Sequence, residues 1–122
     1  MNIKELSIGD FVMYHSESAM IVGLESGGMI TLGVSEYLNL TCGVRHLTPI
    51  PLTPEILEKN GWEIVDESAD YQMYGSPECG IFFTKGTVRY RLETPQASVV
   101  CWNVHQLQHA LRLAGIEKEI EL

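Results

Sequence analysis

Three basic side chains in the second half of the chain have types and spacing suited to binding an anion. Arg89 and Arg91 are two positions apart in a predicted strand, so both project from one face, and Lys85 lies at the turn before that strand. Guanidinium and ammonium groups held together can bind a phosphate or a nucleotide. Three aromatic side chains nearby in the sequence could stack on a base: Tyr71, Tyr74 and Phe82. The pattern predicts a small-anion site in this region.

The same cations have a more ordinary interpretation. Charged residues on neighbouring strands often pair across the sheet and contribute little beyond solubility. Glu78, Glu93 and the acidic turn at residues 66–70 are the available partners. We expect this pairing as the default, and protein docking is a third use of the same side chains.

Two histidines in the last predicted helix have a spacing that occurs in metal sites. His105 and His109 are four residues apart, which places both imidazoles on one side of a helix. No third ligand and no glutamate of the zinc-protease pattern accompanies them, and Arg112 beside them would repel a cation. We therefore predict no metal, and interpret the three side chains as a solvated polar face or a partner-binding face.

The sequence does not specify a catalytic nucleophile or a cofactor site. Cys42, Cys79 and Cys101 are odd in number and form no Cys-x-x-Cys pair, which argues against a disulfide framework and a zinc knuckle. Cys79 could meet His15, His46 or His105 only through folding that no spacing indicates. No phosphate-binding glycine loop is present. We expect a protein that is not an enzyme and that needs no cofactor.

Acidic residues dominate the middle of the chain and the net charge. The formal net charge is −8, and residues 55–78 contain seven acids against one lysine. Such a chain should be repelled by phosphate backbones, so general nucleic-acid binding is disfavoured. The block, which includes Asp66, Glu67 and Asp70, could simply be a solvated face. It could also imitate nucleic-acid charge and occupy a basic cleft on another protein.

Two helices are marked by clear end signals. Thr53 is a predicted N-cap followed by Pro54, and Gly61 is a predicted C-terminal glycine. The last helix begins after Asn103, with Gln106 three residues later as in a capping box, and ends near Gly115. Residues 117–122 alternate charged and apolar side chains and could add an edge strand.

The remaining chain reads as short strands, and the fold class is α+β. Four or five strands between residues 6 and 48 leave no room for a helix and predict an SH3-like small β-barrel over residues 1–50. Residues 51–122 predict a lobe with a short helix, an antiparallel sheet and a C-terminal helix. Lys85-Gly86 predicts a two-residue hairpin within that sheet. The two lobes could also form one compact unit.

Three motifs give the chain a resemblance to a known group of proteins. They are LSIGDFV at residues 6–12, PIPLTPEILEKNGW at residues 49–62 and VHQLQ at residues 104–108. The chain resembles small uncharacterised proteins encoded by phages and mobile elements of gut anaerobic bacteria. That resemblance implies an accessory gene with a role toward the host, and it implies no activity and no catalytic positions.

These observations lead to three functional hypotheses. The first is stoichiometric binding to a host protein, which includes an anti-defence role. The second is sequestration of a small anionic ligand of the nucleotide type, for which a homo-oligomer interface could provide the site. The third is an SH3-like module that touches nucleic acid through a local patch. The chain has no apolar run of membrane-spanning length and no apolar signal core at its start, so we expect a cytoplasmic protein.

Overall fold

The computed structural model describes all 122 residues, which divide into two compact units, Met1–Ile50 and Pro51–Leu122. Each unit contains one five-stranded antiparallel sheet, and two α-helices lie in the second unit, so the α+β class is confirmed. No helix in the chain has both the length and the apolar character needed to cross a membrane. In chain order the elements are β1 (Phe11–Tyr14), β2 (Glu17–Leu24), β3 (Met29–Ser35), β4 (Leu38–Gly43), β5 (Leu47–Thr48), α1 (Pro54–Lys59), β6 (Glu63–Glu67), β7 (Tyr71–Gly75), β8 (Gly80–Thr84), β9 (Tyr90–Glu93), β10 (Ser98–Cys101) and α2 (Val104–Leu113).

The sheet of the first unit has the strand order β4-β3-β2-β1-β5. Its core is made by side chains at alternate strand positions, which are buried while their neighbours face solvent. The largest of these buried side chains belong to Val12, Ile21, Ile30, Leu32 and Leu47. A 3₁₀ turn at Val44–His46 directly precedes the short strand β5.

The sheet of residues 1–50 is not closed, so the structure does not show the closed form of the predicted SH3-like barrel. β4 and β5 are the two edges of an open sheet, and no pairing joins them. β5 has only two residues, which pair with Met13 and Tyr14 of β1. Pro49 and Pro51 follow β5 in the chain, and neither can donate a backbone hydrogen bond to a further strand. The last strand is therefore too short to close the sheet.

The second unit is a meander with strand order β10-β9-β8-β7-β6. The prediction of a two-residue hairpin at Lys85-Gly86 is wrong, because Phe83 pairs with Tyr90 and residues 85–89 connect the strands. The Thr87 side chain donates to the Thr84 carbonyl and accepts from the Arg89 backbone N–H. Such local bonds compete with the strand ladder, so the turn is wider than the Lys-Gly pair suggests.

The predicted helix ends are confirmed. Thr53 Oγ accepts a hydrogen bond from Ile56 N at 3.2 Å, and Gly61 adopts a φ of +91°, which favours glycine. Trp62 N then donates to the Leu57 carbonyl at 3.0 Å, as in a Schellman ending. At the start of α2, Asn103 and Gln106 form the capping box.

The edge strand predicted at residues 117–122 is absent, because side chains of the α1 region hold the tail instead. The Asn60 amide donates to the Glu121 carbonyl and accepts from the Glu121 N–H, both at 2.7 Å. These two bonds use the backbone groups that a strand would have offered to the sheet. Lys118 lies over the Trp62 ring at 4.9 Å, and Ile120 is buried.

Candidate functional site

The register of the second sheet assigns each strand residue to one of two faces. Residues that lie directly opposite one another across a sheet share a face. One row joins Tyr74, Ile81 and Leu92, all of which are buried. The next row joins Met73, Phe82, Arg91 and Val100, all of which are partly exposed. The buried row marks the inner face, and the second row marks what we call the outer face.

Two glycines give the outer face its shape. Gly75 and Gly80 are paired on β7 and β8, and a Cβ atom on Gly75 would lie 3.0 Å from a methyl group of Val65. A Cβ atom on Gly80 would lie 3.3 Å from the terminal methyl of Met73. The Val65 and Met73 side chains therefore lie over the glycine backbone. They form an apolar surface in which Val65 remains 67% exposed.

An aromatic and cationic stack continues this surface. The Tyr71 and Phe82 rings are stacked with centroids 5.1 Å apart, and the Arg91 guanidinium lies 4.9 Å from the centroid of the Phe82 ring. Carboxylates fix both ends of the stack. Tyr71 Oη donates to Asp66 at 2.8 Å, and Arg91 is paired with Glu93.

Hydrogen bonds at these carboxylates shift the neighbouring pKa values. The bond to Asp66 and its negative charge raise the pKa of Tyr71. Ser98 Oγ donates to Glu93 at 2.5 Å, and this bond together with the Arg91 pair lowers the pKa of Glu93. Both carboxylates are thus held in defined positions beside the aromatic rings.

The structure brings together only part of the predicted anion site. Tyr71 and Arg91 share the outer face, whereas Tyr74 is buried on the inner face and donates to Gln72 at 3.0 Å. Arg89 is exposed in the connection before β9 rather than on a strand. Lys85 pairs with Glu67 at 3.2 Å. An anion at Lys85 or Arg91 would have to displace a carboxylate.

The predicted acidic surface includes an edge of the sheet. Asp66 and Glu67 belong to β6, which is the edge strand and is exposed at all five positions. Hydrogen bonds from Gln72 and the pairing with Lys85 lower the pKa of Glu67. Asp70 lies in the following turn, where its carbonyl accepts from the Lys85 N–H at 2.9 Å.

The prediction of a solvated face at His105, His109 and Arg112 is wrong for His105. His105 is only 2% exposed, and its ring lies 6.0 Å from that of His109 in an edge-on arrangement. A helical wheel treats α2 in isolation and leaves out the chain at its start. There, Leu52 N donates to the Trp102 carbonyl at 3.0 Å. Arg112 is exposed.

The cysteines do not have the environment of activated nucleophiles. Burial raises the pKa of Cys79, and it raises the pKa of Cys101 to about 12. A nucleophilic cysteine needs the opposite shift, toward the thiolate. The chain also has no group of three or more His, Cys, Asp or Glu side chains placed to hold a metal ion.

A groove in the first unit contains none of the predicted site residues. It has a volume of about 560 Å³ and lies between the β1–β2 turn, the β2–β3 loop and the 3₁₀ turn after β4. Its charged or titratable side chains are Tyr14, His15, Cys42, Arg45 and His46. Its one unusual local feature is the two-residue turn at His15-Ser16, a position where glycine or asparagine is usual.

No protein-family model, curated protein or solved structure matches this chain. The resemblance to phage and mobile-element proteins therefore stays a prediction.

Proposed function

We propose that the protein acts by stoichiometric binding to a host protein and that the outer face of the second sheet is the contact surface. The observation that carries this proposal is the stack of Tyr71, Phe82 and Arg91 beside an exposed Val65. Tyrosine, arginine and apolar side chains held rigidly together are the composition of binding hot spots.

Charge indicates the kind of partner. Asp66 and Glu93 border the apolar surface, and residues 51–122 contain eleven acids against six bases. A partner with lysine or arginine around an apolar centre would complement this arrangement and would associate faster at low salt. We infer that the partner is a host protein of the cytoplasm with a basic surface.

We further propose that the first unit is an SH3-like module in an open form. Supporting this, β1 lies between β2 and the short β5, and a 3₁₀ turn precedes β5. SH3 domains bind proline-rich segments in aromatic-lined grooves, so this unit would be a second binding module.

The test is partner capture with two matched variants. Val65 and Val88 are the same residue at 67% and 69% exposure, but only Val65 lies on the outer face. We expect a partner retained from a lysate of a gut anaerobe at a 1:1 ratio by native mass spectrometry. Val65→Arg should abolish retention because it places a cation on the surface that meets a basic partner, and Val88→Arg should leave it unchanged. Retention of no protein, or equal retention by both variants, would refute the proposal.

A further inference from the structure

We propose that the groove of the first unit binds a small molecule that carries a phosphate group and a planar ring, of the nucleotide class. This inference does not depend on the proposed function, because every residue of the groove lies within residues 1–50.

The size of the groove fits such a ligand. Small-molecule sites in proteins range from about 300 to 1,000 Å³. At about 560 Å³ the groove is larger than a free phosphate requires. Glycines contribute to this space, since Gly27, Gly28 and Gly43 have no side chains to fill it.

The charge of the groove is opposite to that of the chain. Arg45, His15 and His46 line it, and no carboxylate does. The whole chain carries a net charge of −8, and outside the groove Lys85, Arg91 and Lys118 each pair with a glutamate. Arg45 instead donates from Nε to Nε2 of His46 at 3.3 Å, so its guanidinium has an imidazole rather than a carboxylate as its partner. An anion in the groove would supply the missing negative charge.

The groove also offers a ring surface. Tyr14 is half-buried, and its ring meets that of His15 edge-on with centroids 4.2 Å apart. Met29 and Val44 add apolar wall next to these rings. A nucleobase could stack on an aromatic ring here while its phosphate lies toward Arg45.

The backbone at His15 is strained in a way that suits a functional role. His15 and Ser16 have φ values of 46° and 67°, the left-handed region that the two-residue turn between β1 and β2 requires. Glycine or asparagine adopts this conformation at lower cost, and residues held there against preference concentrate at binding sites. A His15→Gly variant should therefore raise the thermal midpoint of the first unit and weaken ligand binding.

The experiment is a titration of the full chain, labelled with ¹⁵N, with three probes: adenosine monophosphate, adenosine and inorganic phosphate. We expect adenosine monophosphate to shift amide signals of residues 14–15, 27–28 and 42–46 and to bind at least tenfold more tightly than either other probe. Arg45→Ala should weaken it at least tenfold. Lys4→Ala, which removes the other cation of residues 1–50, should not.

Several outcomes would overturn the proposal. If millimolar adenosine monophosphate causes no saturable shifts, the groove does not bind it. If Arg45→Ala binds it as tightly as the natural chain, with an otherwise unchanged spectrum, the site is also refuted. If adenosine binds as tightly as adenosine monophosphate, the phosphate group contributes nothing to the affinity. If inorganic phosphate binds as tightly, the planar ring contributes nothing. His15→Gly that binds as tightly as the natural chain would exclude the turn from the site. None of these results bears on partner capture, because the Val65→Arg variant tests the second unit separately.

Discussion

At the scale of single residues, the burial of two ionisable groups makes the stability of the second unit depend on pH. Burial raises the pKa of Tyr90 to about 12, and it raises the pKa of Cys101 to about 12 from an ordinary value of 9.0. Both groups are therefore neutral in the folded chain at pH values where they would ionise in the unfolded chain. Their contribution to stability is complete below about pH 9 and is lost as pH rises toward 12.

Replacing Cys101 should make this loss less steep. One group that ionises only on unfolding changes the free energy of unfolding by about 1.4 kcal/mol per pH unit. We expect Cys101→Ala to reduce the slope between pH 9 and 11 by about that amount. Fluorescence of the two tryptophans, Trp62 and Trp102, reports this unit alone because the first unit has none. Cys42→Ala is the control, and an unchanged slope in Cys101→Ala would contradict the prediction.

At the scale of elements, local signals in the sequence predicted most of the fold. Thr53, Gly61 and Asn103 act within a few residues of their own positions, and the helix ends they mark are confirmed. Two of the errors lie where distant residues decide the structure. Asn60 holds Glu121 across sixty-one positions and replaces the predicted edge strand, and the burial of His105 depends on chain outside α2.

The candidate sites also combine features that local sequence predicts with features that it does not predict. Arg91 alternates with Tyr90 and Leu92 along its strand, and this alternation alone predicts that Arg91 lies on the solvent face. Tyr74 lies on the opposite face from Tyr71 because the two residues are three positions apart in one strand, β7. The groove brings residues 14–15, 27–29 and 41–46 together, and no spacing along the chain indicates that meeting.

The link between α1 and the tail should be measurable. Asn60 is buried and makes three hydrogen bonds, one to the Ile56 carbonyl and two to Glu121. Asn60→Ala removes the partner of the Glu121 N–H and carbonyl, whereas the Ile56 carbonyl still accepts from the backbone N–H of residue 60. We expect a loss of about 2 kcal/mol in tryptophan-detected stability. Hydrogen exchange at the Glu121 amide should accelerate. Asn39→Ala, at an exposed position of β4, should do neither, and a protected Glu121 amide in Asn60→Ala would contradict the assignment.

At the scale of the whole molecule, the carboxylates make the stability of the folded chain fall at low pH. The pKa values of Glu67, Glu78 and Glu93 are lowered below 4.5 by hydrogen bonds and by basic neighbours. Groups with lowered pKa stabilise the folded chain above the unfolded pKa and lose that contribution as pH falls through the folded pKa. The net charge reaches zero in nearly the same range, since the isoelectric point is about 4.8.

We therefore expect the second unit to lose stability progressively as the pH falls below 4.5. Glu93→Gln should make that loss less steep because it removes the carboxylate that Ser98 and Arg91 stabilise. Acid titration followed by tryptophan fluorescence measures the change. Glu119→Gln, at an exposed position in the tail, is the matched control. A steeper or equal loss in Glu93→Gln would contradict the prediction.

The acidic edge strand β6 also determines which polypeptide segments can pair with the second sheet. An exposed edge normally invites addition of another strand, including one from a second copy of the same protein. Two copies meeting through β6 would bring Glu63, Asp66 and Glu67 of each against those of the other, and a bulge between Ile64 and Asp66 interrupts the regular edge. The strand is thus protected from self-addition while remaining open to an extended segment rich in lysine or arginine.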